Sequence, residues 1–326
     1  KTKLTRYLIM IRKISLLVIS FFILHSCTES EINYTNQSDN LERYNSQIFE
    51  TLTITKDIRY GANVTLGGNT QGLTMDVYQP ENDTEINRPL IVLAHGGSFI
   101  SGDKSDLTET ATFLAKAGYV VASINYRLLD ITPSQLAFKQ VVINAVADMK
   151  AAVRYFNKDL ANENIYKIDT NNVFIGGYSA GAITALHYAY VNNDTELRTI
   201  GGNSFVDYVT SKGGLDGMSG NETFPSTVKA VINISGALFN KNFINNNEPS
   251  LYSIHGTDDD VVPYLNGNVN STGILADGSG ILNPYASSLG LENELKTITN
   301  GKHDAFLNCN SCAVEIRTFL YTQLSK

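Results

Sequence analysis

The chain has 326 residues, of which 43% are hydrophobic and 17% are charged, a composition that can fill a sizeable core and excludes a disordered or collagen-like protein. With 25 Lys and Arg against 32 Asp and Glu, the formal net charge is −7, which argues against a nucleic-acid-binding protein, since that class normally carries a basic face. Three cysteines are too few for a disulfide scaffold or for several zinc sites.

The chain opens on a basic and then apolar segment that is typical of an export signal. Arg12 and Lys13 precede an apolar run of 11 residues at 14–24. As a helix this run would rise only about 16 Å, well short of the roughly 30 Å hydrocarbon core of a bilayer, so we expect export rather than a membrane span. The signal is expected to begin at Met10, with residues 1–9 lying upstream of it.

The end of this signal indicates a lipoprotein. The sequence LHSC at 24–27 is similar to a bacterial lipobox with an atypical histidine, and Cys27 would then be the lipidated N-terminus that attaches the protein to a membrane surface. An ordinary cleaved signal with an incidental cysteine is the alternative. Residues 1–27 are thus assigned to export and the polar residues 28–50 to a flexible tether. The expected location is the cell envelope, at the outer membrane or in the periplasm.

From residue 51 the sequence alternates extended and helical segments, the pattern of a largely parallel sheet. The continuous apolar run at 89–94 is typical of a strand buried on both faces. Strands are predicted at 51–59, 73–78, 89–94, 119–125, 173–177, 228–234, 250–254 and 296–299, and helices at 108–117, 134–160, 182–190 and 313–323. The pattern predicts one doubly wound α/β domain over residues 51–326.

Two stretches rich in Gly, Asn, Ser and Thr interrupt this alternation, at 192–227 and 264–290. Compact domains rarely contain long structureless loops unless the loops are functional. Surface decoration is the alternative for the first stretch. The second is expected to form a pocket wall, because it directly follows a segment rich in aspartate.

The sharpest chemical signal is a G-x-S-x-G sequence at 177–181, between a predicted strand and a predicted helix. A serine hydroxyl is a weak nucleophile unless a base removes its proton. A tight strand-to-helix turn lifts the hydroxyl clear of its own backbone, and small flanking residues allow that turn to pack closely. In this context the motif predicts that Ser179 is a nucleophile rather than part of a structural glycine turn.

A nucleophilic serine needs a histidine and an acid near the ends of later strands. His303 follows the last predicted strand in a loop that can return it to the edge of the sheet, whereas His187 lies within a helix, where a packing or surface role is expected. The sequence HGTDDDVVP at 255–263 ends the preceding strand with three consecutive aspartates at 258–260. Composition alone does not choose among the three.

The third ingredient is a set of N–H groups for a developing oxyanion. The sequence HGGS at 95–98 follows a predicted strand, and its glycines allow the chain to approach a substrate carbonyl closely. Ala180, directly after the serine, supplies a further amide. His95 is expected to hold the loop together rather than to act as a base.

From about residue 73 onward, these pieces together resemble the α/β-hydrolase-fold serine esterases, in particular the hormone-sensitive-lipase-like and bacterial feruloyl and acetyl-xylan esterase group. The matching segments are DVYQP (76–80), HGGSF (95–99), NYRL (125–128), GGYSAGA (176–182), HGTDDDVVP (255–263) and His303. The resemblance implies a mostly parallel eight-stranded sheet with helices on both faces. Two positions depart from the family pattern, because Ser98 stands at the fourth position of HGGG and Phe99 stands where many relatives have Trp.

The resemblance also implies roles for individual residues. The nucleophile is Ser179, the base is His303, the acid is Asp259 at the fifth position of HGxxDxxVP, and the oxyanion amides are those of Gly97, Ser98 and Ala180. The implied reaction is hydrolysis of a small-molecule or glycan ester through an acyl-enzyme, with no metal or organic cofactor. A lipase or peptidase of the same fold, or a catalytically silent surface-binding lipoprotein, is the alternative.

Cys309 and Cys312 form a C-x-x-C sequence shortly after His303. A redox role would favour a thioredoxin-like strand–helix start, and a zinc site would need two further ligands that the sequence does not offer. In an exported protein we expect a short disulfide that stiffens the histidine loop. Two free thiols are the alternative.

Overall fold

Eight strands lie side by side in the computed structural model, which describes residues 42–270, 272–324 and 326. The strands of the described chain are β1 (Leu52–Val64), β2 (Thr70–Pro80), β3 (Arg88–Ala94), β4 (Val120–Ile124), β5 (Ile168–Tyr178), β6 (Ala230–Ile234), β7 (Ala237–Leu238), β8 (Ser250–Gly256), β9 (Asn266–Val269), β10 (Ile274–Gly278) and β11 (Asn293–Ile298). The large sheet has the order β1-β2-β4-β3-β5-β6-β8-β11, and β7-β10-β9 form a second, small sheet. In the large sheet β2 is antiparallel to β1 and β4, and every pair from β4 to β11 is parallel. The mostly parallel eight-stranded sheet predicted from the sequence is confirmed.

Helices cover both faces of the large sheet, as the continuous apolar strands require. The described residues form seven α-helices, α1 (Thr108–Ala115), α2 (Gln135–Ala161), α3 (Ala180–Tyr190), α4 (Asp194–Gly201), α5 (Asn203–Ser211), α6 (Ser279–Ser288) and α7 (Cys312–Leu324). Within β3, Leu90 and Val92 belong to the buried cluster that includes residues of α2 to α6, while Ile91 and Leu93 belong to the cluster that includes residues of α1 and α7. Across this described part of the chain, no helix combines the length and apolarity needed to cross a bilayer.

The predicted boundary between tether and domain needs correction. Residues 42–50 pack against the domain instead of forming a tether: Arg43 donates to both carboxylate oxygens of Asp83, at 3.1 and 2.6 Å. The Tyr44 amide donates to the carbonyl of Ala117 at 2.7 Å. Residues 42–50 therefore belong to the same compact unit as residues 51–326. The polar composition of the segment did not indicate this packing, because the segment is held largely by main-chain hydrogen bonds and an ion pair. The predicted export signal, Cys27 and residues 28–41 lie outside the described residues.

The two stretches that interrupt the predicted alternation are structured. The first contains α4 and α5, and the second contains β9, β10 and α6. The start of α4 carries a capping box, in which Asn193 accepts the amide of Glu196 and the Glu196 carboxylate accepts the amide of Asn193. That local signal was present in the sequence as Asn followed three residues later by Glu. In α6, an internal Pro284 masks the helical pattern.

His187 lies in the middle of α3 and is fully buried. Its Nδ1 lies 2.8 Å from the carbonyl oxygen of Ile183, and its ring packs edge-on against Phe239 at 4.2 Å between centroids. Burial lowers the pKa of His187 to about 4. The side chain is therefore a neutral packing residue at neutral pH, one of the two roles expected from its position.

Replacing His187 by leucine is expected to make the protein less sensitive to acid. The imidazole titrates near 6.5 in the unfolded chain and about 4 in the folded protein, so protonation favours unfolding as the pH falls from 6.5 towards 4 and has no effect above that window. The effect is about 1.4 kcal/mol per pH unit. In urea unfolding, the free energy lost between pH 7 and pH 5 should be smaller in His187→Leu by about 2 kcal/mol. Equal losses in both proteins would contradict this account.

Candidate active site

Ser179 occupies the turn between β5 and α3. Its backbone has φ 55° and ψ −115°, a region that residues with a Cβ rarely adopt. The Ser179 amide donates to the carbonyl of Ile234 in β6 at 2.8 Å, which fixes the turn to the neighbouring strand. The hydroxyl is thereby presented at the carboxyl edge of the sheet, as the motif predicts.

The glycines of the motif are required by the close approach of two main-chain segments. A Cβ on Gly177 would lie 2.3 Å from the carbonyl oxygen of Ala94, and a Cβ on Gly181 would lie 1.9 Å from the same oxygen. No side chain fits at either distance. The turn that carries Ser179 therefore packs directly against the end of β3, where the HGGS loop begins.

His303 lies in the loop between β11 and α7 and reaches Ser179. The distance from His303 Nε2 to Ser179 Oγ is 2.8 Å. The carbonyl oxygen of His303 accepts hydrogen bonds from Ser235 Oγ at 3.1 Å and from the Tyr178 hydroxyl at 3.3 Å, and the Tyr178 ring packs beside the imidazole. Both the backbone and the ring of His303 are thus held in position.

Asp259 completes this arrangement from the loop after β8. Its Oδ2 lies 2.7 Å from His303 Nδ1, and its Oδ1 accepts the amides of Val261 and Val262, both at 2.9 Å. Burial alone would raise the pKa of Asp259, but hydrogen bonds from His255 and His303 and from the Val261 amide outweigh burial and hold that pKa well below its usual value. The group is therefore a carboxylate over the whole range in which histidine titrates.

The two neighbouring aspartates face solvent. Asp258 is exposed, and Asp260 is also exposed, with Lys302 at 3.6 Å. Of the three aspartates that the sequence left open, the structure brings Asp259 to His303. The others follow the ordinary behaviour of solvated surface acids.

The residues that the sequence nominates for the oxyanion lie next to Ser179. Ser98 and Ala180 line the same cavity as the serine. Ala180 is the first residue of α3, so its N–H has no partner within the helix and lies at the positive end of the helix dipole. The carbonyl oxygen of Gly97 accepts the amide of Ile100 at 3.0 Å, which holds the turn that follows the glycines.

The loop after β4 braces the HGGS loop. The Tyr126 hydroxyl donates to the carbonyl of His95 at 2.8 Å, and the two rings stack at 4.5 Å between centroids. The Leu129 amide donates to the carbonyl of Phe99 at 2.7 Å. Burial lowers the pKa of His95, which is consistent with a neutral residue that supports the loop. The NYRL segment is thus part of the site's support.

The cavity beside Ser179 is lined mainly by apolar side chains. Phe138 and Val142 come from α2, Ile183 from α3, and Phe239 from the segment after β7. A further part of the wall comes from the β9–β10 hairpin and its turn, through Val269, Asn270, Thr272 and Ile274. The second loose stretch is therefore a pocket wall, as its position in the sequence predicts.

Sequence reasoning missed a contact of His255. Its Nε2 lies 3.1 Å from Asp259 Oδ2, and its Nδ1 lies 2.8 Å from Ser279 Oγ. His255 opens the HGxxDxxVP segment, so its position four residues before the acid was the available signal. Its partner Ser279 lies far along the chain, and no sequence signal pointed to that contact.

Cys309 and Cys312 form a disulfide at the start of α7. Phe306, which precedes the disulfide, packs on Tyr178 at 5.0 Å between ring centroids. Tyr178 in turn contacts His303. The segment from the histidine to the disulfide thus packs against the turn that carries Ser179.

The chain is similar to several known esterases. It matches the BD-FAE family model over residues 75–239, about half of its length. Esterase-5B of Drosophila persimilis is 24% identical over 155 residues, and Esterase P of Drosophila melanogaster is 24% identical over 157 residues, which are 46% and 47% of this chain. The chain spans only 28% of the length of these curated relatives.

Solved structures share its fold across most of its length. A truncated carbohydrate esterase from gut microbiota has a TM-score of 0.58 and 19% identity, covering 84% of this chain and 97% of that one. Thermogutta terrifontis esterase 2 with butyrate bound has a TM-score of 0.57 and 17% identity, covering 81% and 94%. With the fold and the family match in agreement, the chain belongs to the BD-FAE family of α/β-hydrolase-fold esterases.

Proposed function

We propose that this protein is a carboxylic-ester hydrolase that works through Ser179, His303 and Asp259 and an acyl-enzyme intermediate. The observation that carries the proposal is the unbroken chain of hydrogen bonds from Ser179 Oγ to His303 Nε2 at 2.8 Å and from His303 Nδ1 to Asp259 Oδ2 at 2.7 Å. Nucleophilic catalysis by serine needs a base in contact with the hydroxyl and a third group that orients the base. This chain of contacts supplies both.

The first half of the reaction forms the acyl-enzyme. Neutral His303 donates from Nδ1 to Asp259, which leaves the Nε2 lone pair to take the proton of Ser179 as Oγ attacks the ester carbonyl carbon. The Asp259 carboxylate stabilises the imidazolium that results. The amides of Ser98 and Ala180, with that of Gly97 as the third donor, stabilise the oxyanion.

The second half releases both products. The bond between the carbonyl carbon and the alcohol oxygen breaks, and the proton on His303 Nε2 passes to the leaving alkoxide. A water molecule then attacks the acyl-enzyme while His303 takes its proton. Breakage of the bond to Ser179 Oγ frees the carboxylic acid, and the proton returns to the serine.

The cavity favours a short, uncharged acyl group. Its walls are mainly apolar, with aromatic side chains from α2 and from the segment after β7, and none of the described residues that line it is charged. A charged acid would lose its hydration there without gaining a partner. Thermogutta terrifontis esterase 2, a structural neighbour, has been solved with butyrate and with propionate bound, which are both short acids. The alcohol is proposed to be a small molecule or a sugar, in line with the carbohydrate esterase neighbour.

Export as a lipoprotein of the cell envelope is also proposed. This proposal rests on the residues that end at Cys27 and on their similarity to a lipobox. One acyl chain gives only marginal membrane binding, so a stable anchor would need more than one chain at this cysteine.

Replacement of the nucleophile and of the acid tests the mechanism. Ser179→Ala and Asp259→Asn should each lower kcat for 4-nitrophenyl acetate by about 10³-fold or more, because the first removes the attacking oxygen and the second disturbs the orientation and tautomer of His303. The matched controls are Asp258→Asn and Asp260→Asn, which remove the same charge from exposed positions and should stay within about threefold of wild type. Full activity of Ser179→Ala would refute the mechanism, and loss of activity in a control but not in Asp259→Asn would refute the choice of acid.

The preference for short acyl groups can be tested with substitutions in α2. With 4-nitrophenyl esters of two, four, eight and twelve carbons, kcat/KM should fall beyond four carbons. Val142→Ala, which enlarges the cavity, should raise the ratio for eight over four carbons by about tenfold. Val141→Ala removes the same atoms from the adjacent buried position of the helix, outside the cavity lining, and should leave the ratio unchanged. An identical ratio in the two variants would contradict the assignment of this cavity to the acyl chain.

Metabolic labelling with an alkyne fatty acid tests the anchor. When the full chain is expressed in a bacterium, the wild type and Cys309→Ser should carry the label, while Cys27→Ser should carry none. Label that persists in Cys27→Ser would rule out lipidation at this cysteine and leave the ordinary cleaved signal.

A further inference from the structure

We propose that His255 is a positioning residue that orients the Asp259 carboxylate for His303, and that Ser279 sets the tautomer of His255. The inference rests on the proposed function, since it concerns the same reaction. It adds a second imidazole and a second serine, behind the three residues that react.

The first observation is that Asp259 Oδ2 lies between two imidazoles. His303 Nδ1 is at 2.7 Å and His255 Nε2 is at 3.1 Å from this one oxygen. Oδ1 is occupied by the amides of Val261 and Val262. The side chains of Asp259 and His255 are both 0% exposed, so water cannot replace the bond from His255.

The second observation is that the neighbours of His255 determine where its proton lies. Nε2 faces two acceptors, Asp259 Oδ2 and the carbonyl oxygen of Val262, both at 3.1 Å, so Nε2 carries the hydrogen. Nδ1 then has a free lone pair, and the Ser279 hydroxyl at 2.8 Å donates to it. In this tautomer the imidazole has a partner at both nitrogens.

The third observation is that this chain of donors continues into the sheet. Asn233 Nδ2, in β6, donates to Ser279 Oγ at 3.0 Å and to Ser253 Oγ at 3.1 Å. The direction of donation therefore runs from Asn233 through Ser279 and His255 to Asp259. A fully satisfied buried network of this kind is rigid, because any rotation leaves a polar group unpaired.

The consequence for the reaction follows from the charge on Oδ2. Asp259 carries the negative charge here, and two further titratable side chains among the described residues pack on the imidazoles, Tyr178 beside His303 and Tyr264 beside His255. Without the bond from His255, the carboxylate would be more basic and freer to rotate. It would then bind the His303 imidazolium more tightly, so His303 would remain protonated, and unable to act as a base, up to a higher pH.

The test compares His255→Leu, which removes the donor, with His255→Gln, which keeps an N–H near the Nε2 position. With a short-chain 4-nitrophenyl ester, His255→Leu should lower kcat by roughly 10- to 100-fold, with KM within about threefold of wild type. The acid limb of its pH profile for kcat/KM should move up by roughly 0.5–1 pH unit. His255→Gln should recover part of kcat and return the limb towards its original position. Titration of the active serine with paraoxon counts the folded fraction, so that loss of fold is not mistaken for loss of rate.

A pair of serine variants provides a milder test, in case His255→Leu does not fold. Ser279→Ala and Ser253→Ala each remove a buried hydroxyl that accepts from Asn233, but only Ser279 donates to His255. Ser279→Ala should move the acid limb in the same direction as His255→Leu, and Ser253→Ala should leave it in place. Unshifted limbs in both His255→Leu and Ser279→Ala would overturn the inference. Ser179→Ala is measured alongside, because activity in that variant would refute the proposed function itself, whatever the behaviour of His255.

Discussion

A carboxylate without access to water must obtain its hydrogen bonds from the protein, and Asp259 is in that position. Removal of such a charge from water costs several kcal/mol unless donors replace the solvent. Four donors do so here, two amides from its own loop and two imidazoles. The loop after β8, the end of β8 and the loop before α7 are therefore tied to one group. Loss of any of these contacts would leave part of a buried charge unpaired, so the arrangement favours a single geometry.

The parallel sheet brings these partners together without further devices. β3, β5, β8 and β11 all run in the same direction, so the HGGS loop, Ser179, Asp259 and His303 emerge at the same edge. This is the edge at which α/β sheets usually bind ligands. The position of the serine turn is fixed by close packing, because Gly177 and Gly181 allow it to lie directly against the end of β3. The distances among Ser179, His303 and Asp259 are thus set by a turn and loops that are fixed at the ends of parallel strands.

The sequence was most informative where chemistry is concentrated in a few adjacent residues. The turn around Ser179 and the alternation of strands and helices along the chain could be predicted because both depend on local pattern. The choice of Asp259 over its neighbours could not be made from composition, since it depends on which carboxylate the loop turns inwards. Ser279 was beyond reach for the same reason, because its contact with His255 joins residues 24 positions apart. The small sheet formed by β7, β10 and β9 escaped prediction because its strands are only two to five residues long.

In the proposed mechanism, that small sheet contributes to the wall of the cavity that receives the acyl group, whereas the groups that react lie elsewhere. β10 pairs with β7, and Phe239, directly after β7, lines the cavity together with the β9–β10 hairpin. The groups proposed to react instead depend on the large sheet and on the buried network behind Asp259. Hairpins at the edge of a domain tolerate change better than strands in its core. Under the proposed mechanism, substitutions in the hairpin can therefore alter which acyl group fits while leaving the bonds among Ser179, His303 and Asp259 in place. A change at Asn233 or Ser279 would instead act on the proposed reaction without touching the substrate.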